Sequence, residues 1–155
     1  MTKTRRILAY TITLSAVLLG AVAIVPIPAA NAQADAIATR RAGMKHTGEN
    51  MGAIKKAVDA GQDVASLAAP AKEVADWGRR IPTVFPVGSE TGGDTKALPA
   101  IWASKPDFET LAGNLAREAD KLAVLAAAND KAGVAAQFQV LGGACGACHR
   151  TYRAR

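Results

Sequence analysis

Apolar side chains recur along this chain with helical spacing. Between Ala34 and Ala60, Ile37, Met44, Met51 and Val58 stand at seven-residue intervals with Ile54 between them, the stripe by which a helix joins a bundle. Gly61 follows at the C-terminal position that glycine favours. A second stripe runs from Ser66 to Ile81 through Leu67, Ala71, Val74, Gly78 and Ile81, with Pro70 in its first turn and Pro82 and Pro86 closing it. The third helix starts at Ser104 as N-cap, with Pro106 and Asp107 in its first turn, and its seam is Phe108, Leu111, Leu115, Ala119, Leu122 and Leu125. After a short link at Asn129-Asp130, a fourth helix from Lys131 to Arg153 places Val134, Phe138, Leu141, Cys145, Cys148 and Tyr152 on one stripe. The pattern predicts an all-α fold, an antiparallel four-helix bundle with one long connection between helices 2 and 3. That connection is rich in Gly and Pro and is long enough to cross from one end of the bundle to the other, with Trp102 placed to pin it to the core. Gly43, Gly48 and Gly52 each cost the first helix roughly 0.5–1 kcal/mol relative to alanine, which points to something that approaches this backbone closely.

Length and composition narrow the picture. The 155 residues suffice for one domain behind an export leader. Lys3, Arg5 and Arg6 precede an apolar run from Ile7 to Ile27, and Ala30-Asn31-Ala32 is a small-x-small cleavage pattern. The run reaches the roughly 20 residues of a membrane anchor, but Pro26, Pro28 and the cleavage pattern favour removal. The expected organisation is a signal peptide over residues 1–32 and a bundle domain over 33–155, periplasmic and without a stable membrane anchor. Of nineteen Lys and Arg, three lie in the leader, and all thirteen Asp and Glu lie beyond it, so sixteen against thirteen leaves the domain a surplus of three. No Lys/Arg cluster is interleaved with aromatics, so nucleic acid is not an expected partner. Few aromatic and many alanine residues argue against a β-sandwich and for helix.

The candidate chemistry is concentrated in Cys145-Gly146-Ala147-Cys148-His149. C-x-x-C-H is the signature of covalent c-type haem attachment: each thiol forms a thioether with a vinyl group, and the adjacent imidazole ligates iron. On a helix all three side chains share one face. A redox dithiol expects a βαβ context that is missing, and structural zinc expects four Cys or His ligands where the chain has two of each. A disulfide between residues three apart strains regular helix. The second axial position has three candidates: Met44, Met51 and His46. The two methionines lie on one stripe about 10 Å apart along the axis, so only one can reach the iron.

The segments Arg40–Met51, Val84–Ser89, Leu98–Trp102 and Gly143–Arg153 together resemble class II c-type cytochromes, the cytochrome c prime family, over nearly all of the chain beyond the leader. The resemblance implies one covalent haem c and its iron, held by Cys145 and Cys148 with His149 as axial ligand. It implies Met44 as the second axial ligand, because a Met there marks the low-spin branch, whereas high-spin members carry Leu, Phe or Tyr. It further implies Arg40 near the haem propionates, Arg153 beside the proximal histidine, and Met51 as packing. The function expected is that of an electron carrier, not an enzyme, serving periplasmic redox proteins, with a homodimer among the states the family adopts. The alternative is a ligand-exchangeable site that binds nitric oxide or carbon monoxide.

Overall fold

The computed structural model describes residues 29–155, so the basic start and apolar run of the expected leader lie outside the described residues. Five helices follow one another: α1 (Ala29–Asp59), α2 (Ala68–Arg80), a single turn α3 (Ala100–Ala103), α4 (Lys105–Ala127) and α5 (Lys131–Tyr152). Short 3₁₀ turns at Ala65–Leu67 and Ile81–Val84 flank α2. No strand occurs among the described residues, and the four long helices form the expected bundle.

The stripes read from the sequence are the surfaces that meet. Leu67, Ala71, Val74 and Ile81 of the second segment are buried, as are Phe108, Leu115, Ala119 and Leu122 of α4 and Val134, Leu141 and Tyr152 of α5. On α1, Ile37 and Ile54 are buried while Met44, Met51 and Val58 are partly buried against the core. Between them the stripe takes in Arg40 and Thr47, both buried, so one row of the α1 seam is polar at two positions that periodicity passes over. α2 and α4 share the broadest helix contact, with α5 on the other side of α4 and α1 against α2.

The ends of the bundle are asymmetric. At one end α1 stops at Gly61, whose φ of 61° only glycine adopts freely, and Gln62 N donates to Ala57 O at 3.1 Å. Here Asn129, from the α4–α5 link, accepts from Val64 N at 3.2 Å, and Lys131 donates to Gly61 O at 3.0 Å. Asp130 caps α5 by accepting from Gly133 N at 2.9 Å, a cap the sequence reading treats only as linker. Ser104 stands at the N-cap of α4, but its hydroxyl makes no capping bond; its carbonyl accepts from Phe108 N at 3.1 Å instead.

The long connection does not cross the bundle. α2 ends and α4 begins at the same end, where Phe85 meets Phe108 edge-on at 5.0 Å and Lys105 donates to Pro82 O at 2.8 Å. The extra length folds back over that end and is fastened there. Trp102 Nε1 donates to Pro86 O at 3.1 Å, and Ala97 forms an antiparallel bridge with Arg153. Of the three α1 glycines, only Gly43 has a close neighbour: a Cβ there would fall inside the Trp77 ring, whereas Gly48 and Gly52 face open space.

Candidate functional site

The folded-back connection roofs a cavity of about 410 Å³ at the closed end of the bundle, a size suited to a cofactor. Met44 of α1 and Cys148, His149 and Tyr152 of α5 line it, with Phe85, Ile101 and Phe108 supplying apolar walls. Arg41, Asp94, Thr95, Lys96 and Arg153 form its polar rim, with Arg40 buried in the wall behind them. The arrangement follows from helix register. Lys131 at the start of α5 meets Gly61 just past α1, so the two helices run antiparallel. Counting from that contact at 1.5 Å per residue, His149 lies about 27 Å along α5 and Met44 about 25 Å back along α1. Met51 lies about 10 Å lower, outside the cavity and against the core. His46 is exposed and pairs with Glu73 of α2 at 2.7 Å, away from the cavity.

Cys145 and Cys148 are free thiols one turn apart, each partly buried against the core. Burial pushes the Cys145 thiol up. Burial, and then the neighbouring Cys145, push Cys148 up to about 11, so both thiols carry their protons at neutral pH. His149 shifts the other way: burial, with Arg153 adding to it, lowers its pKa and keeps the imidazole neutral, the form that donates a lone pair to a metal. Only Cys148 and His149 of the motif line the cavity itself; Cys145 stands a turn earlier on the same helix.

Arg40 reaches the cavity wall, but its donors are already engaged. Its guanidinium donates to Ser89 Oγ at 2.9 Å, to Ser89 O at 2.8 Å and to Thr95 Oγ1 at 2.6 Å, and lies 4.7 Å from the centre of the Phe85 ring. Burial lowers its pKa, and the nearby Glu90 charge opposes that shift. Ser89 is itself fully buried and donates to Pro86 O at 2.8 Å. Arg41 pairs with Asp94 at 3.3 Å, and Gln33 donates to Thr91 O. Three residues of α1 thus clasp the roof. Thr95, Lys96, Asp94 and Arg41 are missed by sequence reasoning because the roof lies in irregular chain without periodicity; the only local signal is the turn at Gly92 and Gly93, both with positive φ.

An antiparallel helix bundle whose last helix presents C-x-x-C-H beside an apolar cavity, with a thioether sulfur on the facing helix, is a c-type haem protein of the helix-bundle class. Comparison with known proteins makes this particular. The family model described as Cytochrome C' matches residues 35–153. Cytochrome c-556 of Agrobacterium tumefaciens (strain II Chrys) is 45% identical over 71% of this chain and 89% of its own length. Cytochrome c' of Rhodopseudomonas palustris is 37% identical over 80% of this chain and 85% of its own length. Among solved structures, cytochrome c' from Thermochromatium tepidum superposes with a TM-score of 0.75 at 30% identity, over 79% of this chain and 97% of that one. The chain belongs to the cytochrome c' family, and its cofactor is covalently attached haem c with its iron.

Proposed function

We propose that this protein is a periplasmic one-haem electron carrier whose iron is low-spin and held between His149 and Met44. Cys145 and Cys148 are the thioether positions. The observation that carries the reading is register: Met44 and His149, on antiparallel helices, line one cavity while Met51 and His46 do not. When bound, the haem supplies a one-electron couple whose potential a His/Met pair raises. The residues supply the rest. His149, kept neutral by burial, offers a nitrogen from α5, and Met44 offers a thioether that carries no proton and stays available at any pH. Phe85, Ile101 and Phe108 give the cavity apolar walls, and Arg40, buried in the wall and held by Ser89 and Thr95, sets a positive charge beside the cavity that favours propionates. No acid, base or nucleophile is required, which supports a carrier over an enzyme. The basic leader of residues 1–32 supports export. One solved relative, a cytochrome c' 29% identical with a TM-score of 0.74, is described by a ligand-controlled dimer dissociation, which supports a homodimer as part of this reading.

The second reading is gas binding, favoured by a specific neighbour: the nitric oxide complex of a cytochrome c prime variant from Alcaligenes xylosoxidans, 25% identical with a TM-score of 0.72. The ferric optical spectrum separates the two. The carrier gives a low-spin spectrum with a Met-to-iron charge-transfer band that disappears in Met44→Ala and persists in Met51→Ala. A high-spin ferric spectrum of the unmodified holoprotein at neutral pH overturns the carrier reading and leaves gas binding.

A further inference from the structure

The roof carries one lysine to the cavity that holds Met44 and His149. Lys96 lines it, and no other lysine does among the described residues. Lys45, next to Met44 in the chain, is exposed and pairs with Glu49 at 2.7 Å, and Lys105 donates to Pro82 O at 2.8 Å. The backbone around Lys96 is fixed on both sides. Thr95, before it, accepts at 2.6 Å from Arg40, which lies one turn ahead of Met44 on α1. Ala97, after it, bridges Arg153, one turn beyond His149, and Lys96 O accepts from Ala154 N at 2.8 Å. Lys96 therefore stands between the two helices that carry Met44 and His149. Its amine is loosely held by comparison. Nζ donates to Arg155 O at 3.4 Å, and Asp94, the one carboxylate lining the cavity among the described residues, is taken by Arg41 at 3.3 Å.

A metal ligand needs a free lone pair, and few groups facing Lys96 can supply one. Arg40 and Arg41 from α1 and Arg153 and Arg155 from the end of the chain keep their protons and accept nothing. Asp94 is held by Arg41, and Thr95 Oγ1 by Arg40 and by Ala97 N. Cys148 and Tyr152 belong to α5, the helix that already supplies His149. A lysine that has lost its proton is the exception. Its amine is a compact donor on a flexible four-carbon stem, so the side chain alone has to swing while the roof stays fastened.

We propose that Lys96 is a reserve ligand of the haem iron: at alkaline pH its deprotonated Nζ takes the position that Met44 holds at neutral pH. The proposal rests on the reading of Met44 as second axial ligand. An ammonium has no lone pair to give, so the exchange waits for the loss of a proton. The step balances simply. The bond from iron to the Met44 sulfur breaks, one to the Lys96 nitrogen forms, and the ammonium proton goes to hydroxide in the solvent. The iron stays ferric and the thioether is released unchanged, so no electron is gained or lost. The consequence is a switch in the carrier itself, because a His/Met pair raises the reduction potential and its replacement by a His/amine pair removes that gain.

The test is a titration of the ferric holoprotein from pH 7 to about pH 11, read by the Met-to-iron charge-transfer band and by electron paramagnetic resonance of frozen samples. The parent is expected to lose the band in a one-proton step and to stay low-spin, with the signal of a His/amine pair replacing that of His/Met. Lys96→Arg keeps the charge and the backbone bonds but cannot give up its proton. It is expected to hold the band about one pH unit further or more and to show no His/amine signal. Lys105→Arg, at the same end of the bundle but outside the cavity, is expected to match the parent. In Met44→Ala no sulfur competes, so the His/amine signal is expected about one unit or more below the parent midpoint, and to be absent from Met44→Ala/Lys96→Arg. A His/amine signal that survives Lys96→Arg at the parent midpoint overturns the proposal and leaves the carrier reading intact, since another nitrogen is then the ligand. An alkaline form with the signal of bound hydroxide, the same in parent and Lys96→Arg, overturns it likewise. A parent without the charge-transfer band at pH 7 overturns the carrier reading and this proposal with it, because there is then no Met44 bond to exchange.

Discussion

Arg40 occupies a position on the α1 stripe where a bundle helix ordinarily carries an apolar side chain, and it is 3% exposed. The bonds to Ser89 and Thr95 and the Phe85 ring make that burial tolerable, because a buried guanidinium needs its donors satisfied. Arg40→Ala leaves the Ser89 carbonyl with one partner fewer and frees the roof, at an expected cost of about 2–3 kcal/mol in denaturant unfolding. Arg40→Lys keeps the charge without the planar fork and is expected to recover less than half of the loss. At this scale the sequence is legible where chemistry is written in residue types. Cys145, Cys148 and His149 are read from the motif alone, whereas the partners of Arg40 are not, since Ser89 and Thr95 are ordinary loop residues until the chain brings them to α1.

The helices divide into what periodicity shows and what only packing shows. Three glycines in α1 look equivalent in sequence but not in the bundle. Gly43→Ala drives a methyl into the Trp77 ring and is expected to destabilise by about 1–3 kcal/mol. Gly48→Ala and Gly52→Ala place a methyl in open space within a helix and are expected to stabilise by about 0.5–1 kcal/mol each. Thermal unfolding of the three variants checks both signs. Between α4 and α5, Gln137 donates to Glu118 Oε2 at 2.8 Å and to its carbonyl at 3.0 Å. That bond, followed by the one from Lys121, lowers the Glu118 pKa. A carboxylate depressed in the folded state binds its proton more readily once unfolded. Its contribution is therefore complete above the usual value near 4.5 and is lost as pH falls through the lowered folded value. Melting temperature is expected to drop on acidification across that window, and to drop less steeply in Gln137→Ala. A melting profile as steep in the variant as in the parent contradicts this role.

For the molecule as a whole, the number of long helices and their antiparallel order follow from four stripes and three breaks in the sequence. The course of the α2–α4 connection does not, because its Gly and Pro content allows either a crossing or a roof. The choice rests on Arg40, Arg41 and Gln33 reaching it from α1 and on its bridge to Arg153. The roof closes one end of the bundle, and the helix register then brings Met44 opposite His149. That juxtaposition is the central claim. The most direct measurement is the proton–carbon NMR spectrum of the ferrous holoprotein with methionine methyl groups labelled. An iron-bound methionine methyl sits over the haem plane and is driven far upfield by its ring current. The account predicts one such resonance, absent in Met44→Ala and retained in Met51→Ala. A spectrum in which every methionine methyl keeps an ordinary shift, or in which the displaced signal survives Met44→Ala, contradicts it.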